Sequence, residues 1–211
     1  VTLLVVAITA LVLWGVLSLA PQPEGGAVPA EPVAEEPTTA SRSLTDFEGV
    51  QWYVSPDGVK DAKGTMEQPL DLATALSKDS NVAPGDIVWL KGGTYKGNFV
   101  SELRGAEAGP ILVRQSPGEH AIISPVSTGS PALTVKEPYV WFADFEIMNP
   151  NPERFAQTVA VPFSDGVGVK AEAPHLKFVN LIIHDLQSGI VIDKRFDGIE
   201  VYGSLIYYNG W

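Results

Sequence analysis

Two stretches decide the fold. PYVWFADFEIMN (Pro138–Asn149) and PHLKFVNLIIHD (Pro174–Asp185) align without a gap. A third copy, DGIEVYG (Asp197–Gly203), continues as LIYYN (Leu205–Asn209) with Ser204 read as an insertion between them. Upstream, GVGVK (Gly166–Lys170) aligns with GIVID (Gly189–Asp193). The steps from Gly166 to Gly189 and from Pro174 to Asp197 are both 23 residues. That length holds three short strands and three turns, one coil of a solenoid.

The alignment makes physical sense as stacked coils. Val140, Leu176 and Ile199 form one inward column, and Phe142, Phe178 and Val201 the next. Ile147 and Ile183 form another, continued by Tyr207 if Ser204 is an insertion and by Ile206 if it is not. Alternate residues of a strand face one way, so each coil buries its apolar set against its neighbours. Asp144, Asn180 and Gly203 share one corner, and Tyr139, His175 and Gly198 another. Asn, Asp and Gly tolerate left-handed backbone and suit a sharp turn. Val135 to Val169 exceeds one period, and the excess is a Pro-rich loop over 149–165.

Outside the repeats, three segments are expected. Residues 1–20 (VTLLVVAITALVLWGVLSLA) carry no charge and are long enough to span a bilayer as a transmembrane anchor. The alternative is a signal segment, for which Ser18-Leu19-Ala20 would be the cleavage site, spoiled by Pro21. Residues 21–46, rich in Pro, Ala and Glu, offer little to bury and read as a disordered linker. The folded domain, 47–211, opens with a strand at Gln51–Ser55, the turn Pro56-Asp57-Gly58 and a short helix over Pro69–Ser77, with Pro at its first position. Short strands follow at Ile87–Leu90, Ile111–Arg114, Ala121–Ile123, Leu133–Val135 and Val140–Phe142. This organisation places the domain outside the cytoplasm, anchored to the membrane, or secreted if the first segment is removed.

Composition bounds the partners. The 211 residues hold 14 Lys and Arg against 25 Asp and Glu, a net charge of −11. Four of the acids (Glu24, Glu31, Glu35, Glu36) and none of the bases lie in residues 1–40, leaving 21 acids against 14 bases in the rest. An acidic body argues against a nucleic-acid partner, which needs a basic face. With no cysteine there is no disulfide framework, thiolate metal site or Cys nucleophile.

The opening of the domain resembles the pectate-lyase-like right-handed β-helix proteins. The resemblance is carried by Trp52-Tyr53-Val54-Ser55-Pro56-Asp57-Gly58, Gly64-Thr65 before Pro69, Pro84-Gly85-Asp86-Ile87, and Gly92-Gly93-Thr94-Tyr95. Gly109-Pro110-Ile111-Leu112-Val113-Arg114 with Pro117-Gly118-Glu119 extends it into the early coils. It covers about residues 50–211 and implies an all-β, right-handed parallel β-helix whose open end is capped by the helix at Pro69–Ser77. Members usually run through many more coils, so the domain is expected to be C-terminally incomplete. The resemblance further implies action on polysaccharide, a lyase before a glycoside hydrolase, with a Lys, Arg or His base and Ca²⁺ or Arg neutralising a sugar carboxylate. The alternative is a non-catalytic carbohydrate-binding or surface-adhesion module, and the residues leave enzyme status open.

The candidate residues each have a plainer reading. Asp193-Lys194-Arg195 is the densest charged corner, and the 23-residue period puts Lys170 directly below Asp193. Together they are a candidate sugar-acid site or a surface ion pair. His184 beside Asp185 is a candidate base. Neighbours on extended chain point apart, however, and turn hydrogen bonding is the plainer role. Tyr207, Tyr208 and Trp211 are a candidate sugar platform or core filling. Trp141, equivalent to Lys177 and Glu200, is expected to face outward and bind substrate. Asp57 and Asp61 are turn carboxylates available to Ca²⁺, at a spacing that matches no standard loop.

Overall fold

A computed structural model describes residues 43–127, 129–150 and 166–209. Residues 1–20, most of the linker and the loop beyond Pro150 lie outside them. No helix among the described residues is long and apolar enough to cross a membrane.

The described chain forms three parallel sheets visited in turn. Sheet A contains β1 (Gln51–Val54), β2 (Ile87–Leu90), β5 (Ile111–Gln115), β8 (Val140–Ala143), β11 (Lys177–Val179) and β14 (Glu200–Tyr202). Sheet B contains β3 (Gly93–Lys96), β6 (Ala121–Ser124), β9 (Glu146–Met148), β12 (Ile182–His184) and β15 (Leu205–Tyr207). Sheet C contains β4 (Phe99–Ser101), β7 (Leu133–Val135), β10 (Val167–Ala171) and β13 (Ser188–Ile192). Each strand pairs with its counterpart one coil away, which makes the molecule a parallel β-helix.

The inward columns are those the repeats imply. Phe142, Phe178 and Val201 align across β8, β11 and β14, and the two phenyl rings stack at 5.9 Å. In sheet B, Tyr95, Ile123, Ile147, Ile183 and Ile206 form one column. Ile183 pairs with Ile206 and not with Tyr207, so Ser204 is no insertion. Its hydroxyl instead accepts the Leu181 N–H one coil below, at 3.1 Å, and occupies an ordinary corner position.

Two corners are built from left-handed residues. Asp144 (φ 68°), Asn180 (φ 52°) and Gly203 (φ 63°) turn the chain from sheet A to sheet B. The Asn180 amide donates to Asp144 Oδ1 at 3.1 Å, tying successive corners together. At Gly203 a side chain would meet Asn180 Oδ1 at 2.2 Å, so glycine follows from the stack as well as from the backbone. Tyr139, His175 and Gly198 turn the chain into sheet A, and the first two stack at 4.8 Å with nearly parallel rings.

Two further expectations are corrected, and one strand is added. The capping helix is a single turn, Leu72–Ala75, because Asp71 and not Pro69 caps it: the Asp71 carboxylate accepts the Thr74 N–H at 2.9 Å. Strand β4 follows the Gly97-Asn98 turn, where the sequence shows only three residues of unremarkable pattern. Most consequentially, β10 and β13 pair with a step of 21 residues, not 23: Lys170 lies beside Val191, and Gly168 beside Gly189. A side chain at Gly168 would lie 2.5 Å from the Gly189 carbonyl, so the close approach fixes which glycines meet. The two residues saved are taken up by the longer corner after Ile192.

A second apolar layer covers part of sheet A from outside. Phe47, Ile87, Leu112, Trp141, Ala143 and Val179 form it, with Leu44 and Trp89 packed against it. The segment Leu44–Phe47 thus lies as a strap over the sheet.

Candidate functional site

On the outward face of sheet B, four titratable side chains join in a chain of contacts. Glu146 faces out from β9 because Ile147, beside it, faces the core. One of its oxygens lies 2.7 Å from His184 Nε2 and the other 2.7 Å from His120 Nε2. His184 ends β12, one coil on. Asp185 follows it with φ 64°, which folds its carboxylate back to His184 Nδ1 at 3.0 Å. The rule that neighbours on a strand diverge fails here because Asp185 has left the strand.

The same break brings Tyr207 and Tyr208 together. Tyr208 has φ 50°, and the two rings meet edge to face at 5.2 Å instead of facing opposite ways. Tyr207 in turn stacks on the His184 ring at 4.8 Å. Tyr208 pairs in position with Asp185, so Asn209 is not the corner equivalent of Asp185; its side chain accepts the Leu186 N–H at 3.1 Å.

The two histidines differ in access. The His184 side chain is 11% exposed and has a carboxylate at each ring nitrogen. Satisfying both contacts takes a proton on each nitrogen or one on a carboxylate. The His120 side chain is 63% exposed, and its described contact is through Nε2. A carboxylate that accepts the Nε2 proton leaves Nδ1 as the acceptor facing solvent. This is how an orienting carboxylate prepares an imidazole for proton transfer. Neither His120 nor Glu146 stands out in the sequence. They sit 26 residues apart, and the one available signal is that Glu146 interrupts an otherwise apolar repeat.

The other sequence candidates fall elsewhere. Lys170 pairs with Glu172 at 2.6 Å and lies beside Val191, so it is not stacked under Asp193. Asp193 binds the Arg195 guanidinium through both oxygens. Hydrogen bonds from Arg195 hold its carboxyl down to about 2, with a smaller contribution from Lys170. Lys194 is exposed at the same corner. This is the surface ion-pair arrangement, open to solvent. Trp141 does point away from the core, but it is only 7% exposed. Phe47 packs edge-on at 5.3 Å and the Lys177 ammonium sits 4.6 Å over the indole, so the strap covers the surface a sugar would need. Trp211 lies outside the described residues. Asp57 and Asp61 are exposed, and no group of three or more His, Asp or Glu among the described residues is placed to share a metal ion. Among the described residues, Asp57 and Asp61 are therefore not part of a carboxylate cluster that could hold Ca²⁺.

No protein-family model matches the chain. A curated pectate lyase, PEL9 of Emericella nidulans, is 33% identical over a match covering 46% of this chain and 27% of that protein. A rhamnogalacturonan lyase structure superposes with a TM-score of 0.53 at 17% identity, covering 67% of this chain and 38% of the other. The chain is similar over part of its sequence to a pectate lyase, and its fold is like that of the rhamnogalacturonan lyase. A lacto-N-biosidase from Eubacterium ramulus also superposes, with a TM-score of 0.56 at 19% identity, over 74% of this chain and 34% of its own. The chain thus spans about a quarter of the length of its curated relative. These likenesses extend to the fold; they assign no residue of the His120–Glu146–His184–Asp185 cluster a task.

Proposed function

We propose that this β-helix acts on an acidic polysaccharide by β-elimination, with His120 as the base. The observation that carries the reading is the shared carboxylate: Glu146 holds His120 at one oxygen and His184 at the other. In the proposed step, His120 Nδ1 takes the proton from the carbon next to the uronate carboxylate. The C–H electron pair becomes the new ring double bond, the bond from the adjacent carbon to the glycosidic oxygen breaks, and that oxygen takes a proton from solvent. Glu146 and the buried His184–Asp185 pair are positioning residues. Tyr208, 71% exposed beside Tyr207, offers an apolar face to the sugar. The pectate lyase relative supports the choice of lyase over hydrolase. The uninterrupted apolar stretch 1–20 and the linker after it support an extracytoplasmic, membrane-anchored domain.

The test is the absorbance of unsaturated product from the full chain on a panel of acidic polysaccharides. His120→Ala should lower kcat about 100-fold or more, the usual share of a general base. Glu146→Gln should lower it as well, because an amide presents a donor to one ring N–H. Activity undiminished in His120→Ala would remove the cluster from catalysis. A native protein that binds these polymers but releases no product would favour the adhesion or binding module instead.

A further inference from the structure

Sheet A carries a second concave site on its outward face. Tyr53, Trp89 and Arg114 lie side by side across β1, β2 and β5. The Arg114 guanidinium sits 5.4 Å from the centre of the Trp89 ring, and Trp89 Nε1 donates to Gln51 at 3.1 Å, which fixes the indole plane. The strap roofs the neighbouring part of the face. What remains open is a hollow of about 360 Å³, walled by Tyr53, Met66, Trp89, Lys91, Ser116 and Glu119. Small-ligand sites start at roughly 300 Å³.

The polar groups of the hollow indicate its ligand. Arg114 is already paired with Asp144, and the Glu119 carboxylate accepts the Gly92 N–H. The Lys91 ammonium forms no ion pair with a described carboxylate; its contact is the Met66 carbonyl at 3.4 Å, at the long limit of a hydrogen bond. A cation held by one long hydrogen bond and two aromatic side chains in one hollow suit a sugar ring that carries a carboxylate.

We propose that this hollow binds one hexuronate residue of an acidic polysaccharide, its carboxylate on Lys91 and its ring against Trp89 and Tyr53. The proposal rests on the reading of the substrate as an acidic polysaccharide, but not on His120 or on any chemistry at sheet B. The hollow holds the polymer at the capped end of the solenoid, on a different sheet from the proposed elimination site.

The experiment is calorimetric binding of trigalacturonate to the full chain, with methyl-esterified trigalacturonate as the uncharged control. Lys91→Ala should weaken trigalacturonate binding about tenfold or more, and the ester should bind the native protein as poorly as the acid binds the variant. Trp89→Leu should weaken both ligands. Binding unchanged within twofold in Lys91→Ala, equal binding of acid and ester, or no binding by the native protein would each overturn the proposal. Product release lost in His120→Ala with trigalacturonate binding retained would support both readings. Product release unchanged in that variant would fail the elimination site and leave the hollow standing.

Discussion

The pairing of β10 with β13 can be tested by cross-linking, because two registers make opposite demands. The 23-residue period puts Lys170 next to Asp193, whereas the structure puts it next to Val191. Paired strands lie about 4.8 Å apart, inside the Cα separation of about 4.4–6.8 Å that a disulfide spans. A partner two residues further on adds about 6.6 Å along the strand, for roughly 8 Å in all, beyond bridging distance. Both positions are accessible, with the Lys170 side chain 44% and Val191 37% exposed. The chain has no cysteine, so any bridge formed is the engineered one. Lys170→Cys with Val191→Cys should oxidise fully in a glutathione buffer, read by mass after thiol labelling. The closed loop should add up to about 3 kcal/mol to stability. Loss of the exposed Lys170–Glu172 pair removes about 1 kcal/mol at most. Lys170→Cys with Asp193→Cys should stay reduced. A bridge in the second pair and none in the first would refute the register and the glycine contact held to set it.

Three further outcomes follow from the core and the corners. Phe178→Ala removes a fully buried ring stacked on Phe142 and should cost about 3–5 kcal/mol, seen as a lower urea midpoint. Tyr95 is buried, which pushes its phenol well above the ordinary range with Glu119 adding to the effect, so it stays a neutral donor. Its hydroxyl lies within 2.9 Å of the Val54 and Lys91 carbonyls, and Tyr95→Phe should cost about 1–2 kcal/mol by thermal melting. Asp193 should titrate near 2 by NMR and return toward 3.8 in Arg195→Ala. Its folded value lies below the ordinary one, so its stabilisation is in place above about 3.8 and is lost as pH falls through 2, with no change near neutrality.

The columns of sheet A, and that of sheet B as far as Ile183, were legible because each strand's alternation recurs with a fixed step, whereas the insertion read at Ser204 left the next position open between Tyr207 and Ile206. Phe142, Phe178 and Val201 could be matched by eye, and so could the corner set Asp144, Asn180 and Gly203. Sheet C was misread because two glycine-led strands look alike in either of two even registers, and a two-residue slip keeps every side chain on its own face. The cluster at sheet B was half legible. His184 and Asp185 drew notice as neighbours, but their contact depends on one left-handed residue, and Glu146 and His120 reach them only through stacking of coils. Trp141 was placed on the outside correctly, yet its cover comes from Leu44–Phe47, nearly a hundred residues away in sequence. No local pattern announces such a lid.

The unequal steps of 21 and 23 residues have a consequence for how such molecules vary. Backbone pairing sets the rise from one turn of the solenoid to the next, whereas the number of residues spent at a corner is left free. The corner after Ile192 lengthens while the strands on either side keep their partners. Lengthening or shortening there changes what the surface displays without disturbing the layers beneath, so the corners are where new recognition loops can be grafted. A search for a constant repeat length would lose its place at such a joint and count too few turns.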